Sequence, residues 1–115
     1  MAFIYKQFCE TTLPSSVGTL CTNGASKTGY IRLVSIHNGN TTAETVKLYK
    51  VPNNGGAVGT ASAANEILNR SIEAGGDAII EFAIPGRMMI AENDSIQGET
   101  TTASKVSVEI TGGEE

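Results

Sequence analysis

The chain has 115 residues, a net charge of −4, 40% hydrophobic and 17% charged side chains, and no tryptophan. That is one domain's worth of sequence, too apolar to stay disordered, with a core to be built from Ile, Val, Leu, Ala and Met. The eight basic residues are scattered from Lys6 to Lys105, so no basic stripe exists to grip a nucleic-acid backbone, and no apolar run approaches the roughly 20 residues of a membrane span.

Short apolar runs alternate with turn residues along the whole length, which is a pattern of strands. Phe3 to Phe8 is the first predicted strand. Pro14-Ser15-Ser16 turns the chain, and Val17 to Thr22 is the second. A hairpin centred on Ser15 would set Cys9 opposite Cys21 across one ladder. Such a pair could form a disulfide in an oxidising setting. The opening Met1 to Lys6 lacks the features of an export signal, and a reducing cytoplasm favours two buried thiols. For the same reason the N-x-S/T triplets at Asn40, Asn69 and Asn93 read as accidents of composition.

Thr28 to Asn38 is the third and longest predicted strand. Its pattern slips, because Ile31 and Leu33 fall on one face while Val34 and Ile36 fall on the other. Either both faces are covered, or a β-bulge shifts the phase near Leu33. Asn38-Gly39-Asn40 is the clearest hairpin signal, returning into Glu44 to Val51. Pro52 to Gly56 closes that unit, and 57–65 is an irregular stretch. Glu66 to Ile72 is a fifth strand. In the sixth, Ile80, Phe82 and Ile84 face one way while Ile79, Glu81 and Ala83 face the other. Arg87 to Ala91 crosses over, and Ser95 to Thr100 is a seventh strand. In the eighth, Val106, Val108 and Ile110 point in, with Lys105, Ser107, Glu109 and Thr111 out. Gly112 to Glu115 reads as a frayed acidic tail. About eight short strands imply an all-β, antiparallel sandwich of jelly-roll or immunoglobulin-like type.

No catalytic constellation accompanies this pattern. The one histidine, His37, has no carboxylate or serine beside it in sequence, and the G-x-S-x-G and H-E-x-x-H patterns are missing. Gly55 to Thr60 lacks the G-K-[ST] ending of a phosphate loop. Asp77, Glu92, Asp94 and Glu99 do not form a D-x-D-x-D calcium loop, and Cys9, Cys21 and His37 lack a fourth zinc ligand. The expectation is a protein that is no enzyme and uses no cofactor or metal.

Several words of the sequence carry a resemblance. Ile36-His37-Asn38 ends a strand, and Val46-Lys47-Leu48-Tyr49-Lys50-Val51-Pro52 leads into a Gly-rich loop. Ala91 to Ile96 then fills the place of an "A-G-D-x-I" turn. Together they resemble the small accessory virion proteins of tailed bacteriophages. The paired cysteines and Phe3-Ile4-Tyr5 depart from that pattern. The resemblance implies a β-sandwich that assembles with its own copies and with coat subunits on a virion made in a bacterial cytoplasm. The concrete expectation is a capsid decoration protein, with a neck, tail or fibre component as the alternative and a carbohydrate-binding module as the second. Phe3, Ile4, Tyr5 and Phe8 are the candidate assembly contacts, within an amino-terminal segment (1–27) at the interface, because neighbours on a strand cannot all face one core.

Overall fold

The computed structural model describes residues 4–82 and 88–115. Nine strands appear in chain order: β1 (Ile4–Thr12), β2 (Gly18–Thr22), β3 (Gly29–Asn38), β4 (Glu44–Val51), β5 (Glu66–Ile72), β6 (Asp77–Glu81), β7 (Met88–Ile90), β8 (Ser95–Thr100) and β9 (Val106–Glu114). A 3₁₀ turn at Ala63–Asn65 is the one helical element among the described residues. The first sheet runs β1-β9-β3-β6, with β7 also pairing β3; the second runs β2-β8-β4-β5. Every pairing is antiparallel.

Consecutive strands mostly change sheets. The chain stays within one sheet only from β4 to β5 and from β6 to β7. A five-stranded and a four-stranded layer interleaved in this order make a jelly roll, and the immunoglobulin-like alternative is set aside. The core between the layers holds Ile31, Val34, Ile36, Val46, Leu48, Ile96, Val106, Val108 and Ile110, all at most 1% exposed. Ile80 and Phe82 pack against it from β6 and just beyond, while Ile79 and Glu81 face outward. Ala83 and Ile84, expected to continue that strand, lie outside the described residues, as do Phe3 and Arg87.

The phase slip in β3 is a bulge. Ile31 pairs Gly112 and Leu33 pairs Thr111, which leaves Arg32 as the extra residue. The bulge turns Val34 and Ile36 to the same inner face as Ile31.

Four expectations are corrected. β3 and β4 are not a hairpin, because they lie in opposite sheets. None of Asn38, Gly39 and Asn40 adopts the positive φ a tight hairpin turn needs. Asn38 instead is fully buried, and its Nδ2 lies 3.0, 3.0 and 3.1 Å from the carbonyls of Thr42, Ile72 and Glu73. It pins the β3–β4 corner to the β5–β6 corner. Asn23 does the same between β2 and β3, 2.8, 3.2 and 3.1 Å from the carbonyls of Lys27, Ile90 and Ala91. Next, 87–91 is not a plain crossover, since Met88–Ile90 pairs with the start of β3. Then the acidic tail is not frayed. β9 continues to Glu114 between β1 and β3, and Glu115 exchanges main-chain hydrogen bonds with Thr28. Gly112 is required there, because a Cβ would collide with the Tyr30 carbonyl. The last correction concerns the cysteines: β1 and β2 share no ladder, since β1 pairs β9 and β2 pairs β8.

Candidate assembly surface

Cys9 and Cys21 are joined by a disulfide with Cα atoms 5.8 Å apart. The bond ties the two sheets together where they lie edge over edge, and replaces the pair of thiols expected for a cytoplasm. Each cysteine directly follows a bulge. Phe8 is the extra residue of β1, and Leu20 that of β2. A bulge re-aims the side chain after it, here turning both sulfurs toward the space between the layers. With both sulfurs in that bond, Cys9, Cys21 and His37 are no thiolate zinc set.

The bulge also divides the amino-terminal apolar run. Phe8 is half-buried, its ring in the space a Cβ at Gly29 would need. Ile4 and Tyr5 are 58% and 78% exposed. Tyr5 belongs to a row across the outer face of the first sheet: Tyr5, Gly113, Tyr30 and Met89 are in register on four adjacent strands. Met89 is 53% exposed, and Ile79, further along the same face, is 68% exposed. Ile79 was legible as an outward position in the alternation of its strand, though nothing there marked it as a contact. Met89 was hidden, because a three-residue strand carries too little pattern to read.

The second sheet is different. Its outward-facing Tyr49 and Gln97 are nearly or fully buried, since the 52–65 segment folds over them. Gln97 Nε2 donates to the Gly59 carbonyl at 2.9 Å, and a Cβ at Gly59 would strike the Pro52 carbonyl. Gly55 and Gly56, both at positive φ, form the turn bridged by Asn54 and Ala57 within this segment. Part of one outer face is therefore covered by the chain itself, and the other presents apolar side chains.

The remaining chemically interesting residues are engaged structurally. His37 sits opposite Asp77 in register, with Nδ1 2.7 Å from Oδ1, both on the exposed face. This carboxylate is distant in sequence and could be placed only by the strand pairing. Glu92 accepts from the Ser26 amide at 2.6 Å, Asp94 accepts twice from Asn53 at 2.9 Å, and Glu99 stands opposite Lys47. Among the described residues no three His, Cys, Asp or Glu side chains gather in a way that could hold a metal. Glu44 is a buried carboxylate that the sequence did not flag. Burial pushes its pKa up, but the Asn40 amide at 2.9 Å, the Thr102 N–H at 2.7 Å and the Thr100 hydroxyl at 3.1 Å favour the charged form. The hydrogen bonds outweigh burial and hold the carboxyl below the usual range.

No protein-family model matches the chain, and no curated protein does. Solved structures do. The chain is similar to a protein of the extra small virus virus-like particle from the giant freshwater prawn Macrobrachium rosenbergii. The alignment covers 99% of this chain and 79% of that one, with TM-score 0.53 and 14% identity. At that identity the likeness is one of fold. An alignment with a chain of infectious bursal disease virus, Gt strain, covers 97% of this chain and 30% of the other, with TM-score 0.35 and 8% identity.

Proposed function

We propose that this chain is a virion structural protein that assembles with its own copies and with coat subunits, most concretely as a capsid decoration protein of a tailed bacteriophage. The observation that carries the reading is the unequal treatment of the two sheets. The 52–65 segment covers part of the second sheet's outer face, while the first sheet presents Tyr5, Tyr30, Met89 and Ile79 outward. An apolar set on an otherwise acidic surface marks a protein contact. The shared fold with the prawn virus protein supports this, as does the resemblance of Ile36-His37-Asn38 and the segment Val46 to Pro52 to phage accessory proteins. On this reading the chain performs no catalysis and acts by burying surface. A place on the neck, tail or fibre uses the same surface.

Sedimentation velocity on the isolated protein, and co-sedimentation with coat particles, test it. More than one subunit, or binding to particles, is the expected result. The second reading, a carbohydrate-binding module, draws on Tyr5 and Tyr30 flanking Gly113, since tyrosine rings can stack on sugars. A strict monomer that ignores particles and binds a glycan would replace the first reading with the second.

A further inference from the structure

Among the described residues five strands lie at sheet edges: β1 at one edge of the first sheet, β6 and β7 end to end along its other edge, and β2 and β5 in the second sheet. Three are interrupted. Phe8 is an extra residue in β1, Leu20 in β2 and Ile67 in β5. Bulges of this kind twist an edge away from strangers. β6 and the three-residue β7 run in unbroken register, and β6 is the longer stretch, with Glu81 to Asp77 opposite Leu33 to His37.

The main-chain direction of β6 follows from its ends. The Phe82 N–H donates to the Arg32 carbonyl at 2.8 Å, and the Asn38 N–H to the Gly76 carbonyl at 2.9 Å. Antiparallel ladders alternate, so Ala78 and Ile80 also turn their main-chain groups to β3. The N–H and C=O groups of Asp77, Ile79 and Glu81 then point away from the sheet, and no described strand pairs with them. The side chains of these same three residues stand exposed on the outer face, in the order acid, apolar, acid.

We infer that β6 is a docking edge for an extended segment of another protein, whose side chains on the matching face run basic, apolar, basic. The segment joins the first sheet as an additional strand. Its main chain meets the outward groups of Asp77, Ile79 and Glu81, its apolar residue lies beside Ile79, and its basic residues meet the two carboxylates. The β6 strand of a second copy is the wrong partner for this edge. In the fully overlapping antiparallel register, Asp77 of each copy would face Glu81 of the other, and like charges directly opposite are destabilising. The two acids thus reject self-pairing and select a basic strand. The inference goes beyond the virion reading, because it specifies the partner's strand and not the particle it belongs to.

The test uses the whole isotope-labelled protein and a blocked heptapeptide of sequence TKTVTKT, with TETVTET as its counterpart. The expected result is saturable binding of the basic peptide at roughly millimolar concentration or below, with new hydrogen-exchange protection at the amides of Asp77, Ile79 and Glu81. Ile79→Pro removes an outward N–H while sparing the ladder to β3, and should abolish that binding. The double variant Asp77→Lys with Glu81→Lys leaves the main chain alone and should reverse the preference between the peptides by roughly tenfold or more. This second variant decides the matter if the proline variant fails to fold. No saturable binding, protection at another edge, or a peptide preference indifferent to charge reversal would overturn the inference.

Discussion

Breaking the Cys9–Cys21 bond is the most informative perturbation, because its cost can be worked from the chain. The bridge closes a loop with a sequence separation of 12. In the chain-entropy treatment, a loop of that length stabilises the folded state by about 3 kcal/mol at 25 °C. For a domain of this size, the melting entropy converts that into a fall in Tm of roughly 12 °C. The reduced protein should nevertheless remain folded. β1 is held by nine-residue β9 and β2 by β8, so neither strand relies on the bridge for its partner. Calorimetry of the oxidised protein, the same protein with reductant, and Cys9→Ala with Cys21→Ala checks the figure. The reduced wild type separates lost cross-linking from lost packing volume, since Cys9 is buried. An unchanged Tm on verified reduction would refute the loop-closure argument. A reduced chain with no cooperative transition would refute the claim that each sheet is assembled without the bridge.

Four further outcomes are expected. Glu44 has a folded pKa below its ordinary value, so its contribution is full above the unfolded pKa and disappears as pH falls through the folded one; urea midpoints should drop on acidification, and Glu44→Gln should remove part of that drop. At pH 7 the same substitution presents an amide N–H₂ to donors and should cost about 1–3 kcal/mol. Val108→Ala should leave a small cavity between the layers and cost about 1–3 kcal/mol by urea denaturation, with no change in strand content by circular dichroism. Gly112→Ala should destabilise by about 3 kcal/mol or more, because the main chain of β3 at Tyr30 has no room to retreat between β9 and β7; a well-folded variant with wild-type Tm would contradict the geometry.

The parts of the fold that could be read in advance are those where local pattern and final burial coincide. Val106, Val108 and Ile110 alternate without interruption and all lie in the core. The broken alternation from Ile31 to Ile36 signalled the bulge at Arg32. Where the destination of a strand mattered, local chemistry was silent. Asn38-Gly39-Asn40 carries turn residues whether the next strand returns beside β3 or crosses to the other sheet, and only the carbonyls of Ile72 and Glu73 decide it. Gly112 and Gly113 looked like a loose end because glycine weakens a strand, yet they fill a place between two neighbours where a side chain would not fit. For the assembly surface, Ile4 and Tyr5 were readable as a run too apolar for one face. Tyr30 and Met89 join them only through pairings to Gly113 and to each other, which cross most of the chain.

The corner asparagines bear on how this protein ages. Asn23, Asn38 and Asn54 each precede glycine, the neighbour that most readily lets the next main-chain nitrogen attack the side-chain amide and convert it to an acid. At Asn38 that nitrogen belongs to Gly39 and is occupied, donating to the Lys105 carbonyl at 2.8 Å, while the amide itself is held among three carbonyls. Asn23 is held likewise. Asn54 sits on the exposed turn with Gly55 and Gly56. Stored protein should therefore acquire its first extra negative charge at residue 54, on an exposed turn outside the core. Conversion at 23 or 38 requires the fold to open, and it would put a carboxylate against carbonyl oxygens that a refolding chain cannot accommodate.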